Sequence, residues 1–248
     1  MKRLLWLLLV GIVAVGVLLV GCTGGGGPDK IRVATDATWA PFEYIDDETG
    51  EIVGFDIDLF DAIADRADLD VEYVDVDWDA LLAGMAQGTY DAAISSITIK
   101  PDRLKEMNFS IPYMVAGQII TTLKSNTDIT GPETLAGKSV GVQAGTTGDD
   151  LATSINGTDV QRYDDIPLAF TALMNNQIDA VICDDPVAYG YVAKYAVLKT
   201  VGEVLTHEEY GIAVPKGKEE LLEKINTALE ELLDEDIIEE LTQEWLVG

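Results

Sequence analysis

Val71-Glu-Tyr-Val-Asp-Val76-Asp-Trp78-Asp-Ala-Leu-Leu-Ala-Gly-Met-Ala-Gln87-Gly-Thr-Tyr-Asp91-Ala-Ala-Ile94 holds a strand, a helix and a second strand in succession. Val71 to Val76 alternates as a strand does. Trp78 to Gln87 has the spacing of an amphipathic helix, and Gly88 supplies its stop. Ala92-Ala93-Ile94 is short and apolar, a strand that ends at Ser95-Ser96. The same grammar extends outward. Upstream, Ile31-Arg32-Val33-Ala34 reads as a buried strand ending at Thr35-Asp36. Ile52 to Phe55 leads into a helix from Asp56 to Arg66, where Ile57, Phe60, Ile63 and Ala64 recur at helical spacing. Downstream, Ser139-Val140-Gly141-Val142 is a strand running into a Gly-Thr loop. Leu168 to Asn176 is a helix, and Ala180-Val181-Ile182 a strand ending at Cys183-Asp184. Strands alternating with helices imply an α/β fold with largely parallel sheets flanked by helices.

Two halves share this build. Met85-Ala-Gln-Gly-Thr-Tyr-Asp91-Ala-Ala-Ile94 lines up with Leu173-Met-Asn-Asn-Gln-Ile-Asp179-Ala-Val-Ile182: helix end, turn, Asp, buried strand. Helix–turn–strand is common, but together with equivalent first strands the match points to two lobes. The tail is surplus to the second lobe. Tyr210 to Val214 reads as a strand, Glu219 to Leu233 as an amphipathic helix and Asp236 to Trp245 as a further helix. A tail that crosses back would complete the first lobe. The two crossings, near Tyr113–Gly117 and Thr206–Tyr210, would then form a two-stranded hinge able to close on a ligand. The expected division is 30–113 with 210–248 for lobe 1, and 114–209 for lobe 2 with the hinge strands.

The N-terminus reads as an export signal. Met1-Lys2-Arg3 is a basic flank, Leu4 to Val20 carries no charge, and Leu19-Val20-Gly21-Cys22 resembles a lipobox. Residues 1–21 would be cleaved and Cys22 acylated, leaving 22–29 as anchor and Gly-rich spacer. An uncleaved anchor helix is the other reading, and both place the remaining chain outside the membrane. With Cys22 used, Cys183 is alone and no internal disulfide can form. As a lone thiol it reads as a small buried apolar residue. Lys and Arg number 16 against 44 Asp and Glu, a net charge of −28. Such a surface repels nucleic acid and anionic headgroups. Solubility and mild steering of cationic ligands are both consistent with it.

Ligands of open α/β sheets bind beyond the carboxyl ends of the strands. The first half offers Asp36 and Trp39 there, then Ser95, Ser96 and Thr98, with Arg103 a few residues on. The second offers Gln143, Gly145, Thr146, Thr147 and Asp184; Trp78 opens its helix nearby. One cation, two anions, hydroxyls and aromatics suit a zwitterion: a guanidinium fork matches a carboxylate, and an Asp can take an ammonium. Plainer readings stand beside these. Arg103 after Pro101-Asp102 reads equally as a solvated helix residue, Asp184 before Asp185-Pro186 as a helix start, and Trp39 and Trp78 as core or rim. Gly141-x-x-x-Gly145-x-x-Gly148 lacks dinucleotide spacing. No clustered metal ligands and no Ser-His-Asp set appear, so no cofactor or metal is expected.

Several motifs in order resemble the family 3 extracellular solute-binding proteins of polar amino acid ABC transporters. Gly54-Phe55-Asp56-Ile57-Asp58-Leu59, running on through Ile63-Ala64, is similar to the family signature. Thr35-Asp36-x-x-Trp39-x-Pro41-Phe42 resembles its opening motif, and Ser95-Ser96-Ile97-Thr98-Ile99-x-x-x-Arg103 its carboxylate-binding segment. Gly141-Val142-x-x-Gly145-Thr146-Thr147 resembles its second-lobe loop. Asp179-Ala180-x-x-x-Asp184 is similar to the strand carrying its ammonium ligand, and Tyr210-Gly211-Ile212-Ala213 to its returning hinge strand. The resemblance implies a type II periplasmic-binding-protein-like fold. It also implies roles: Arg103, Ser96, Thr98 and Thr147 for the ligand α-carboxylate, Asp184 for the α-ammonium, Trp39 and Trp78 around the side chain, and Asp36 at its far end. Asp36 would then favour Gln, Arg, Lys or His over Asp and Glu. The expected partners are a free L-amino acid, a membrane permease and the lipid anchor, with no nucleic acid; a monomer is expected. An enzyme on the same scaffold, dehydratase-like, and a sensory partner of a membrane receptor are the competing classes. The lone His207, near the hinge, reads as structural.

Overall fold

The computed structural model describes residues 30–247. Residues 1–29, with the basic flank, Cys22 and the spacer, lie outside the described residues. β1 (Ile31–Thr35) is fully buried from Val33 on, where its side chains carry no charge. β2 (Thr38–Trp39), β3 (Glu43–Ile45) and β4 (Ile52–Val53) form a small antiparallel sheet. α1 (Phe55–Ala67) follows and buries Phe55, Ile57, Leu59, Phe60 and Ile63. Its entry needs glycine: Gly54 has φ 136°, and a Cβ there would lie 2.2 Å from the Phe42 carbonyl oxygen. β5 (Val71–Asp75), α2 (Trp78–Gln87), β6 (Ala92–Ala93), α3 (Arg103–Glu106) and β7 (Met107–Phe109) complete the first passage. Gly88 ends α2 in the left-handed conformation its sequence position demands.

β8 (Met114–Ala116) leads into β9 (Gln118–Leu123), β10 (Ser139–Gln143), α4 (Thr147–Ser154), β11 (Asp159–Tyr163), α5 (Ile166–Met174), β12 (Ala180–Asp184), α6 (Asp185–Lys194) and β13 (Leu198–Val201). β14 (Glu208–Tyr210) pairs antiparallel with β8, and β15 (Ala213–Pro215), α7 (Glu219–Asp234) and α8 (Ile237–Thr242) close the chain.

Each lobe has a five-stranded sheet, ordered β5-β1-β6-β15-β7 and β11-β10-β12-β9-β13. The first three strands are parallel in both, and the fourth runs antiparallel. That fourth strand is in each case the continuation of a hinge strand: β8 runs into β9, and β14 into β15. The returning tail therefore enters the first sheet between β6 and β7.

The repeated Asp has a physical cause. Asp91 Oδ2 accepts the Arg32 amide at 2.8 Å, and Asp179 Oδ2 accepts the Ser139 amide at 2.8 Å. Both carboxylates tie the turn before the third strand to the start of the first, supplying an acceptor that the ladder lacks there.

Some boundaries differ from the sequence reading. The strand expected over Tyr210–Val214 is two strands broken at Gly211–Ile212. The break comes where Gly211 is pressed against Ile99, 2.8 Å from a Cβ position, and where Ile212 N donates to Ser110 Oγ rather than to a ladder. The last helix is α8 followed by a wide turn over Gln243–Val247, anchored where Trp245 Nε1 donates to Asp58 Oδ2 at 2.8 Å. The helix read from Leu168 starts at Ile166, because Asp165 caps it by accepting from the Leu168 amide.

Candidate functional site

Of the residues singled out in the sequence, all but Gly145 line one cavity between the lobes, eleven in number. They are Asp36, Trp39, Trp78, Ser95, Ser96, Thr98, Arg103, Gln143, Thr146, Thr147 and Asp184. Glu43, from β3, joins them and was not singled out. The lobes meet across the cavity: Gln143 Nε2 donates to Asp36 Oδ2 at 2.7 Å, and Lys100 Nζ pairs with Asp150 at 2.7 Å.

Arg103 is the cation of this wall. It opens α3 yet is only 5% exposed, so it is not a solvated helix residue. Its Nη1 donates to the Thr98 carbonyl at 2.9 Å, and its guanidinium lies 5.0 Å from the centroid of the Trp78 ring. Nε and Nη2 have no partner among the described residues. Burial lowers its pKa, so an anion beside it would restore a favourable charge balance.

Asp184 occupies the cap position of α6 but its side chain caps nothing. It accepts instead from Gln118 Nε2 at 2.6 Å, and Gln118 also donates to Thr147 Oγ1 at 3.1 Å. Burial, and then the nearby Glu208, raise the Asp184 carboxyl to about 8; the Tyr210 hydroxyl pulls the other way.

The hydroxyls divide by where their single proton goes. Ser95 Oγ donates to Glu43 Oε1 at 2.8 Å and accepts the Asp36 amide at 3.0 Å. Thr98 Oγ1 donates to Glu208 Oε2 at 2.7 Å. Thr146 caps α4, donating to the Gln143 carbonyl and accepting from the Asp149 amide. Those three protons are committed. Ser96 Oγ has no partner among the described residues, and Thr147 Oγ1 only accepts, so these two can donate into the cavity. Ser96 sits at φ 48°, a left-handed conformation rare outside glycine, held by the bond from its amide to Asp56 Oδ2 at 2.7 Å.

At the other end, Asp36 accepts from Thr38 Oγ1 at 2.9 Å as well as from Gln143. Burial raises its carboxyl to about 6, while those two bonds lower it. Its demand for a donor, expected to fall on the ligand, is thus partly met by the protein; two lone-pair positions remain. Glu43 is fully buried, and burial and Asp56 push it well above the usual carboxylate range. Trp39 and Trp78 are 7% exposed, with both indole N–H groups unpartnered among the described residues. Cys183 is buried, its thiol pushed far up by burial. His207 is exposed on the hinge segment and does not line the cavity.

The model of the bacterial extracellular solute-binding proteins, family 3, matches residues 31–248. This chain belongs to that family. A protein of Neisseria gonorrhoeae named a probable histidine-binding protein is 35% identical over 213 residues, covering 83% of this chain and 79% of the relative. Among solved structures, an ancestral arginine-binding protein bound to glutamine is 41% identical, covers 88% of this chain and 98% of its own, and superposes with a TM-score of 0.84. An ancestral amino acid-binding protein described as a precursor of cyclohexadienyl dehydratase is 34% identical, with 88% and 95% coverage and a TM-score of 0.82. The two-lobed α/β architecture is therefore that of family 3 amino acid-binding proteins. No helix of the described residues is long and apolar enough to cross a membrane.

Proposed function

We propose that the chain is the substrate-binding component of an ABC transporter, and that it captures a polar or basic L-amino acid by closing its two lobes around it. The candidates are Arg, Gln, Lys and His, with arginine first. One observation carries this reading. A buried guanidinium with two nitrogens unpartnered among the described residues shares the interlobe cavity with Asp184, a buried carboxyl bonded there only to neutral groups. Ligand countercharges make both favourable at once.

Arg103 Nε and Nη2, with the Ser96 and Thr147 hydroxyls, take the α-carboxylate. Asp184 takes the α-ammonium. Thr98 was expected on the carboxylate, but its proton is committed to Glu208, so its oxygen serves better as an acceptor beside Asp184. Trp39 and Trp78 flank the side chain, although one Trp78 face is already occupied by Arg103. Asp36, Glu43 and the Gln143 oxygen receive the side-chain donors. A guanidinium, with five N–H groups, fits three such acceptors best, and Asp or Glu ligands would meet like charge. Isothermal titration with arginine, glutamine and glutamate tests this. Arginine and glutamine are expected to bind, arginine with a Kd of about 50 nM; tighter binding of glutamate would overturn the reading.

The division into lobe 1 (30–113 and 210–248) and lobe 2 (114–209) is supported by the two sheet orders. Cleavage before Cys22, its acylation, tethering to the outer face of the membrane and a monomeric state belong to the same proposal. The first three rest on the lipobox-like Leu19-Val20-Gly21-Cys22. Mass spectrometry of the membrane-extracted protein would show the acylated Cys22, or an intact N-terminus instead.

A catalytic reading has two observations in its favour: raised carboxyls at Asp36 and Asp184 are what a general acid needs, and one structural neighbour is described as a precursor of a dehydratase. Both carboxyls already accept protein hydrogen bonds, which favours binding. Product formation on incubation with a prephenate-like acid would reverse that choice.

A further inference from the structure

Two fully buried carboxyls meet at one side of the cavity. Glu43, on β3, lines it. Asp56, in the first turn of α1, does not. Glu43 Oε1 accepts from Ser95 Oγ. Asp56 Oδ2 accepts from the Ser96 amide and from the Tyr113 hydroxyl at 2.9 Å. The remaining oxygens, Glu43 Oε2 and Asp56 Oδ1, are buried with no hydrogen-bond partner among the described residues, and the Asp56 amide donates to the Phe42 carbonyl at 2.9 Å, which sets the two carboxyls side by side. Ionised carboxylates only accept, so neither orphaned oxygen can satisfy the other unless one of the pair keeps a proton.

Among the described residues no cation is packed against the pair. The titratable groups packed against the pair are Asp36 beyond β1, Tyr113 before β8, and Tyr210 on β14 against Tyr113. The cavity's cation, Arg103, is turned to Trp78 and the Thr98 carbonyl. Two like charges in contact and out of water cannot both persist. Burial raises Asp56 to about 7 and Glu43 well above its ordinary range. Asp56, with two donors of its own, is the better anion, so Glu43 carries the proton.

We propose that Glu43 and Asp56 share one proton, and that a cationic ligand side chain entering the cavity displaces it. The Glu43 O–H bond breaks, the proton passes to buffer and the ligand's positive charge replaces it, so the cavity's net charge is conserved. A neutral side chain such as that of glutamine leaves the proton in place. The pair thereby lets one cavity accept both cationic and neutral side chains. This inference rests on the amino-acid reading of the site.

The test is isothermal titration at pH 7.5 with arginine and with glutamine, each in phosphate and in Tris, whose ionisation enthalpies differ. The dependence of the observed heat on buffer counts the protons released. Any proton lost from Asp184 to the α-ammonium is common to both ligands and cancels. Arginine is expected to release about one proton more than glutamine. Its Kd should therefore tighten about tenfold more per pH unit through neutrality. Glu43→Gln and Asp56→Asn each replace the shared proton with an amide N–H, and each should remove the difference. Equal proton counts in the wild type, or a difference that survives both variants, would overturn the shared proton while leaving amino acid binding intact. Absence of binding by either ligand would overturn the site reading, and this proposal with it.

Discussion

Burial and Glu208 hold the Asp184 carboxyl near 8, whereas in an unfolded chain it titrates near its ordinary value of about 3.9. Between those values the unfolded chain has lost its proton and the folded chain keeps it. The folded state binds more protons, so this residue makes the ligand-free protein less stable as pH rises through that window. Asp184→Asn should raise the ligand-free melting temperature at pH 8 by about 5 °C and leave it little changed at pH 4, while amino acid affinity falls at least about 100-fold. Scanning fluorimetry at both pH values and calorimetry check the two halves. Arg103→Ala should cost every amino acid a similar, large factor, about 100-fold or more. Asp36→Ala should weaken arginine far more than alanine or glycine; equal losses in titration would refute its place at the side chain. Eleven cavity positions were legible because they stand at the ends of strands or at helix starts, where the sheet rule places them. Glu43 was not. It sits on a short antiparallel strand, and its one signal is a lone carboxylate between Phe42 and Tyr44. The direction of each hydroxyl proton was also out of reach, because it depends on Glu43, Glu208 and the Gln143 carbonyl, far off in the chain.

The hinge strand β14 does more than connect. Its Glu208 accepts from Thr98 Oγ1, and from Thr206 Oγ1 at 2.7 Å. Thr206 in turn accepts the Gln118 amide, and the Gln118 side chain holds Asp184. One carboxylate thus joins both ligand-facing walls to the crossing strand. Glu208→Ala is expected to weaken arginine about tenfold, and Thr98→Val to add little on top of it, since both remove the same bond. Additive losses in the double variant would contradict the coupling. The alternating elements, the two similar lobes and the tail's return to the first sheet were readable, because hydrophobic period and surplus length carry them. The break at Gly211–Ile212 was not, because it is imposed by Ile99 and Ser110 packing from elsewhere.

Across the whole molecule, closure brings Asp36 onto Gln143 and Lys100 onto Asp150. Gly145, at φ 71°, approaches the other lobe so closely that an added Cβ would lie 3.1 Å from Asp79 Oδ1. These contacts are few, and the exposed Lys100–Asp150 pair is worth at most about 1 kcal/mol. The Arg103 and Asp184 groups buried by closure cost more than that when unpaired. In the proposed binding mode a ligand bridging them decides whether the closed state prevails. A thermal-shift screen against the twenty amino acids tests this most directly. At about 100 times its Kd, arginine should add about 2.7 kcal/mol of stability and raise the melting temperature by about 5–10 °C, with glutamine, lysine or histidine next and aspartate and glutamate without effect. A screen in which no amino acid raises it, or in which the acidic ones raise it most, would contradict the account.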